Sequence, residues 1–272
     1  MLHFGAVIWN ATVYVDGQRA AVHTGGYDGF SVRLSESVSR QASSVHGASF
    51  ELLVHVFNPA EEGVQPQGKG FIKYIDNVGP FPAHIYGPTS GIWQTVWIEA
   101  VPQVHVRHVR VDANTTTLRA SIDVAGSSPN AGVRPGAGNV HATYAVFDAD
   151  GSLMAQHHGV AGKEAVLTIP SPRLWSPRSP HLYDLRINLS TGDSVLSYFG
   201  MRTWAKATDG RGYRHATLNG KRTLAAGVLD QGYWPDGRYT APTDSALAAD
   251  LHHVLAFAYN TIRVHQKVHP ER

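Results

Sequence analysis

Apolar and polar residues alternate with a period of two along much of this chain, the pattern of strands that bury one face. Phe50, Leu52, Val54 and Val56 alternate with Glu51, Leu53, His55 and Phe57. Between Thr89 and Pro102, Ile92, Gln94, Val96 and Ile98 take one side, and Trp93, Thr95 and Trp97 the other. Farther on, Leu118, Ala120, Ile122 and Val124 alternate with Thr117, Arg119, Ser121 and Asp123. Tyr183, Leu185, Ile187 and Leu189 do the same with Asp184, Arg186 and Asn188. Turn signals separate these runs: Asp16-Gly17 after Ala11-Thr-Val-Tyr-Val15, then Asp148-Ala-Asp-Gly151 and Thr191-Gly-Asp193. Asp-Gly suits a two-residue hairpin because both positions tolerate positive φ. The pattern predicts a mainly β chain with one antiparallel sandwich over 1–102. A second starts at Val104 and has the strand spacing of an immunoglobulin-like domain over 103–206.

The period changes near residue 215. Leu218-Asn-Gly-Lys-Arg-Thr-Leu224 reads as a hairpin, and 224–229 as a short strand. Thr243 or Asp244 is a suitable N-cap, since either side-chain oxygen can take an orphan N–H of the first helical turn. Leu247, Leu251, Val254, Leu255 and Ala258 then recur on one helical face, and Asn260-Thr-Ile-Arg-Val264 reads as a second strand. Strand, helix and strand in that order form a parallel β-α-β unit, as at the opening of a (β/α)8 barrel, whose functional groups stand at the C-terminal ends of its strands. Asp230 to Asp236 occupy that end. There Tyr233 and Trp234 can stack on the apolar face of a pyranose while Asp230 and Gln231 bond its hydroxyls. The same aromatics can equally do no more than close the barrel rim.

Composition adds exclusions. Among 272 residues, 43% are hydrophobic and 16% charged, with 27 Gly and 15 Pro, which fits a turn-rich β protein with a proper core. A net charge of +2 calls for neither nucleic acid nor an acidic membrane surface. No cysteine is present for a disulfide, a thiolate metal site or a nucleophile. No apolar run reaches the roughly 18 residues of a membrane span. Met1 to Trp9 lacks a basic leader and already reads as strand, so residues upstream are expected to be missing. Of sixteen histidines, His265 and His269 stand four apart and His252-His253 lie on the helix, without a His-Glu-x-x-His pattern. With no Gly-rich phosphate loop and no nucleophile elbow either, neither metal nor cofactor is expected. Gly126 to Gly138 has the Gly, Pro and Ser content of a mobile surface loop and carries no functional assignment.

Several segments together resemble one family. Leu2-His-Phe-Gly-Ala-Val-Ile-Trp9, Val13-Tyr-Val-Asp-Gly17, His23-Thr-Gly-Gly-Tyr-Asp28 and Ser90-Gly-Ile-Trp-Gln-Thr-Val-Trp97 resemble, in order, the jelly-roll sugar-binding domain of the family two glycoside hydrolases. That group includes β-galactosidases, β-glucuronidases and β-mannosidases. Pro170-Ser-Pro-Arg-Leu-Trp-Ser-Pro-Arg-Ser-Pro-His-Leu-Tyr183 and Ser197-Tyr-Phe-Gly-Met-Arg202 resemble the family's second domain, a spacer that braces the barrel, with Trp175 as a core or corner residue. Gly227 to Asp244 resembles the first barrel strand and its loop.

The resemblance implies a jelly roll over 1–102 that lacks its first strands, an immunoglobulin-like sandwich over 103–206, and the first β-α-β of a barrel over 215–272. It implies hydrolysis of O-glycosyl bonds of β-linked sugars by a retaining mechanism, which needs two carboxyl groups about 5–5.5 Å apart. Both family glutamates come from later barrel strands, one after an asparagine, and no segment here matches them. The chain is therefore expected to be a catalytically incomplete fragment without catalytic residues of its own. Asp230, Gln231, Trp234, Arg263 and His265 are its expected substrate-binding residues, Arg263 and His265 by the resemblance. His269 stands where relatives often carry glutamate, and Ala258 where they usually carry glycine. The expected partner is a carbohydrate, with neither nucleic acid nor membrane, and the oligomeric state stays open. The alternative is a non-catalytic carbohydrate-binding or scaffold protein.

Overall fold

A computed structural model describes residues 1–34, 49–60, 62–63, 65, 88–126 and 140–269. The Gly/Pro/Ser segment after Gly126 and the tail at Glu271 lie outside the described residues. The chain divides into two compact units, one made of Met1–Ala100 with Ala226–Arg272, the other of Val101–Ala225.

The first unit opens with β1 (Leu2–Phe4), β2 (Val7–Ile8), β3 (Asn10–Val15), β4 (Gln18–Thr24), β5 (Phe30–Val32), β6 (Leu52–Phe57), β7 (Gly91–Ile92) and β8 (Val96–Ile98). They pair antiparallel as β5-β1-β8, β4-β3-β6 and β2-β7. Asp16 and Gly17 both take positive φ, 47° and 73°, and make the tight β3–β4 hairpin that the dipeptide predicts. Alternation then sorts the faces. Leu2 and Phe4 of β1, with Ala11, Val13 and Val15 of β3, turn inward to one core with Val7, Val32 and Leu34. Val54 and Val56 pack against it, while Leu53 and Phe57 face outward as predicted.

The stretch from Thr89 to Pro102 departs from the predicted single strand. It breaks between β7 and β8, where the Trp93 N–H bonds the Ala6 carbonyl at 3.2 Å and the Gly5 N–H bonds the Thr95 carbonyl at 2.9 Å. The break lets the Trp93 ring turn inward to a second cluster with Ala6, Ile8 and Tyr239.

The second unit holds β9 (His105–Ala113), β10 (Thr117–Ala125), β11 (His141–Phe147), β12 (Leu153–Val160), β13 (Ala165–Thr168), β14 (Tyr183–Leu189), β15 (Ser194–Phe199), β16 (Trp204–Thr208), β17 (Arg214–Leu218) and β18 (Lys221–Arg222). Antiparallel sheets β13-β10-β9 and β12-β11-β14-β15 turn their inner residues to one shared core. Leu118, Ala120 and Ile122 come from one sheet, and Tyr144, Val146, Tyr183, Leu185 and Ile187 from the other. These are the positions the period of two selects. Both predicted turns close as expected, with Gly151 N–H on the Asp148 carbonyl and Gly192 N–H on the Leu189 carbonyl. At the Asp148 turn, partial burial pushes the carboxyl up. The Ala149 N–H and the Arg173 guanidinium push it down, and the outcome lies below the usual range. Trp175 is half-buried, with the Arg202 guanidinium 4.6 Å over its ring. The hairpin around Asn219-Gly220 forms as read and extends a small sheet, β16-β17-β18.

Back in the first unit, β19 (Gly227–Asp230) and β20 (Thr261–Val264) form a parallel pair joined through α1 (Asp244–Ala256). The first strand begins three residues later than the pattern predicts, and Leu224 is exposed. Gly227 is required by proximity, since a Cβ there would meet the Thr261 carbonyl oxygen at 1.8 Å. Thr243 caps α1, its Oγ1 accepting the Ala246 N–H at 3.1 Å. Of the predicted stripe, Leu247 and Val254 are half-buried whereas Leu251 and Leu255 are exposed.

The helix ends in a Schellman turn. Ala258 N–H bonds the Leu255 carbonyl at 2.9 Å and Tyr259 N–H the Val254 carbonyl at 3.1 Å. Ala258 itself has φ 60°, a left-handed conformation that strains any side chain with a Cβ. Ala258→Gly is therefore expected to raise stability by about 1 kcal/mol. Urea unfolding measures this, and an unchanged or lower midpoint would contradict the strained-cap reading.

Candidate functional site

The parallel pair brings its C-terminal ends together. The His265 N–H donates to the Asp230 carbonyl at 3.0 Å, just past the last paired residues, Asp230 and Val264. The Asp230 carboxylate then folds the chain back over the strand end. One oxygen accepts the Gly232 N–H at 2.7 Å, and the other stands 3.1 Å from His269 Nε2. Lys267 donates to the Gly232 carbonyl at 2.9 Å, with its ammonium 5.9 Å from the centre of the Tyr239 ring. Three side chains from the two strand ends thus converge on one turn.

The loop after that turn is held at both flanks of Tyr239. Trp234 and Arg238 exchange two backbone hydrogen bonds, of 2.7 and 3.0 Å. Arg238 reaches the Pro88 carbonyl, and Thr240 Oγ1 donates to the Trp93 carbonyl at 2.9 Å. Tyr239 is thereby driven into the first unit's second core. It is 2% exposed and meets Trp93 edge-on at 5.3 Å and Tyr233 edge-on at 6.3 Å. Its hydroxyl lies 3.4 Å from that of Tyr27. Burial, and then this hydrogen bond, pushes the Tyr27 phenol well above its ordinary range. Trp93 is fixed in turn by its indole N–H on the Gly26 carbonyl at 2.7 Å. The His23–Asp28 and Ser90–Trp97 segments singled out from the sequence meet the barrel-like segment here.

Of the five expected binding residues, Asp230 and His265 are joined through the backbone, and Trp234 stands half-buried on the same loop. Gln231, between Asp230 and the turn, is half-buried. Arg263 is exposed and pairs in register with Leu229. With a period of two, that places it on the face opposite Asp230. Lys267 and Tyr239 were not singled out from the sequence, although the Tyr233–Tyr239 aromatic spacing was a signal for the second. His269 was noted only for its departure from the family pattern.

The enclosed space beside these groups is small. A cavity of about 20 Å³ lies among Trp93, Tyr239, Leu247, Lys267 and His269. It admits one water and no sugar ring. Among the described residues, no three His, Cys, Asp or Glu side chains gather as a metal set. No helix among them is long and apolar enough to cross a membrane.

Comparison with known proteins gives a consistent affiliation. Residues 104–202 match the family model described as Glycosyl hydrolases family 2. An exo-β-D-glucosaminidase of Amycolatopsis orientalis is 29% identical over 167 residues, which cover 57% of this chain and 16% of that enzyme. A β-galactosidase of Bacteroides ovatus is 26% identical over 242 residues, covering 84% and 25%. Among solved structures, a Ruminococcus gnavus β-glucuronidase in complex with uronic isofagomine superposes with a TM-score of 0.72 at 21% identity, over 96% of this chain and 40% of that one. Over residues 104–202 the chain is similar to the family 2 glycosyl hydrolases. It spans a quarter or less of the length of these two enzymes, 25% and 16%.

Proposed function

We propose that this chain is part of a β-glycosidase, supplying sugar-contact groups but not the catalytic carboxylate pair. On this reading 1–102 is a jelly-roll sugar-binding domain and 103–206 an immunoglobulin-like spacer. Residues 215–272 open the (β/α)8 barrel, and 226–272 of them pack with the first segment into one unit. The whole protein hydrolyses β-linked glycosides by the retaining mechanism. In it Asp230, Gln231, Trp234 and His265 bind substrate. The observation that carries the reading is the pairing of Asp230 with His269 at the ends of two parallel strands, where barrel enzymes bind their ligands. A carboxylate that already bonds Gly232 and His269 keeps lone pairs for a sugar hydroxyl.

Binding at the strand-end site is expected to be weak in these 272 residues alone, because ligand sites normally surround most of their ligand and this surface is open. Titration of galactose or glucuronic acid against tryptophan fluorescence should show no saturation below about 1 mM, equivalent to roughly 4 kcal/mol. Trp234→Ala should remove whatever signal is seen. Micromolar binding of either monosaccharide that Trp234→Ala abolishes would contradict the reading.

A further inference from the structure

A second concave surface lies wholly within the second unit, where the end of β9 meets β15. It is a cavity of about 450 Å³ lined by Asp112, Leu182, Tyr198, Phe199, Arg202 and Trp204, among others. That volume falls within the roughly 300–1,000 Å³ of small-molecule sites. Phe199 is buried, but Tyr198 and Trp204 are 59% and 50% exposed. Both aromatics stand on paired strands: Tyr198 faces Asp184 across β14–β15, and Trp204 faces Leu218 across β16–β17. Rigid, half-exposed rings of this kind offer contact area at small entropic cost.

The polar groups are equally prepared. The Arg202 guanidinium carbon lies 4.6 Å from the centre of the Trp175 ring, a cation–π contact that leaves its N–H groups able to donate hydrogen bonds. Asp112, also lining the cleft, supplies an acceptor. One donor fork, one carboxylate and two aromatic faces match a sugar, whose C–H face packs on rings while its hydroxyls both give and take hydrogen bonds. One positive and one negative group together favour a neutral ligand, because a uronate carboxylate would enter beside Asp112.

We propose that this cleft binds a neutral disaccharide. It does so independently of the strand-end site of the first unit and takes no part in hydrolysis. The test is calorimetric titration of the full 272-residue chain with cellobiose. Saturable binding in the micromolar to low millimolar range is expected, weakened at least tenfold by Trp204→Ala and by Tyr198→Ala. Trp204→Phe, which keeps a ring, should retain most of it, and Trp234→Ala should leave it unchanged. Tyr198 is exposed, so Tyr198→Ala should leave the thermal unfolding midpoint where it was and show that the loss is one of binding. Absence of saturable binding would overturn the proposal. So would binding that survives both alanine substitutions, or binding that Trp234→Ala abolishes, which would place the sugar at the first unit's site instead.

Discussion

Tyr239→Ala is expected to destabilise the unit formed by 1–100 and 226–272 by about 3–5 kcal/mol, the usual cost of deleting a buried aromatic ring. The ring is 2% exposed, and its removal would open a void between Trp93, Tyr27 and Tyr233 that the neighbouring anchors prevent from collapsing. Arg238 on the Pro88 carbonyl and Thr240 on the Trp93 carbonyl hold the backbone at both sides of the gap. Against a total stability of roughly 5–15 kcal/mol for a domain, the loss is large. Tyr239→Phe keeps the ring and removes the hydroxyl that lies 3.4 Å from that of Tyr27, so a smaller loss, on the order of 1 kcal/mol, should go with it. Urea unfolding of the two variants, followed by amide exchange of β19 and β20, measures both effects. A Tyr239→Ala loss no larger than that of Tyr239→Phe would mean that the barrel-like segment is not anchored through this ring.

The contrast between strands and loops explains how much of the molecule was legible beforehand. Leu118, Ala120 and Ile122, or Tyr183, Leu185 and Ile187, sit in regular strands, where a period of two maps directly onto inside and outside. Asp16-Gly17 was equally readable, because positive φ at both positions is a local requirement. The inward turn of Trp93 was not legible, because it depends on hydrogen bonds of its stretch with Gly5 and Ala6, nearly ninety residues away, which break the strand. The α1 stripe was overestimated. A helical period identifies the apolar face but not how much of it finds a partner, and Leu251 and Leu255 stay exposed.

At the candidate site, Asp230 and Trp234 were singled out by their position after a strand. The pairing of Asp230 with His269 joins residues 39 apart in sequence, with nothing local to announce it. Tyr239 was hidden for the same reason: its value comes from rings contributed by the chain's first hundred residues. The left-handed Ala258 shows the opposite case. A helix-end position that relatives fill with glycine was suspect from the sequence, and its φ of 60° supplies the cause.

The central claim is that these 272 residues contribute sugar contacts without the catalytic pair. Removing either essential carboxyl from such a mechanism eliminates the acid or the nucleophile, and general acid–base assistance alone contributes about 10²–10⁴-fold. Asp230, the carboxylate at the strand ends, is bound to Gly232 and His269, and no second carboxylate among the described residues is bonded with it. Turnover of nitrophenyl β-glucuronide, β-galactoside and β-mannoside by the purified chain, with an Asp230→Asn variant as control, measures this directly. The account predicts no release of nitrophenol above the buffer rate for any of the three. Turnover that persists through purification and is lost in Asp230→Asn would contradict it.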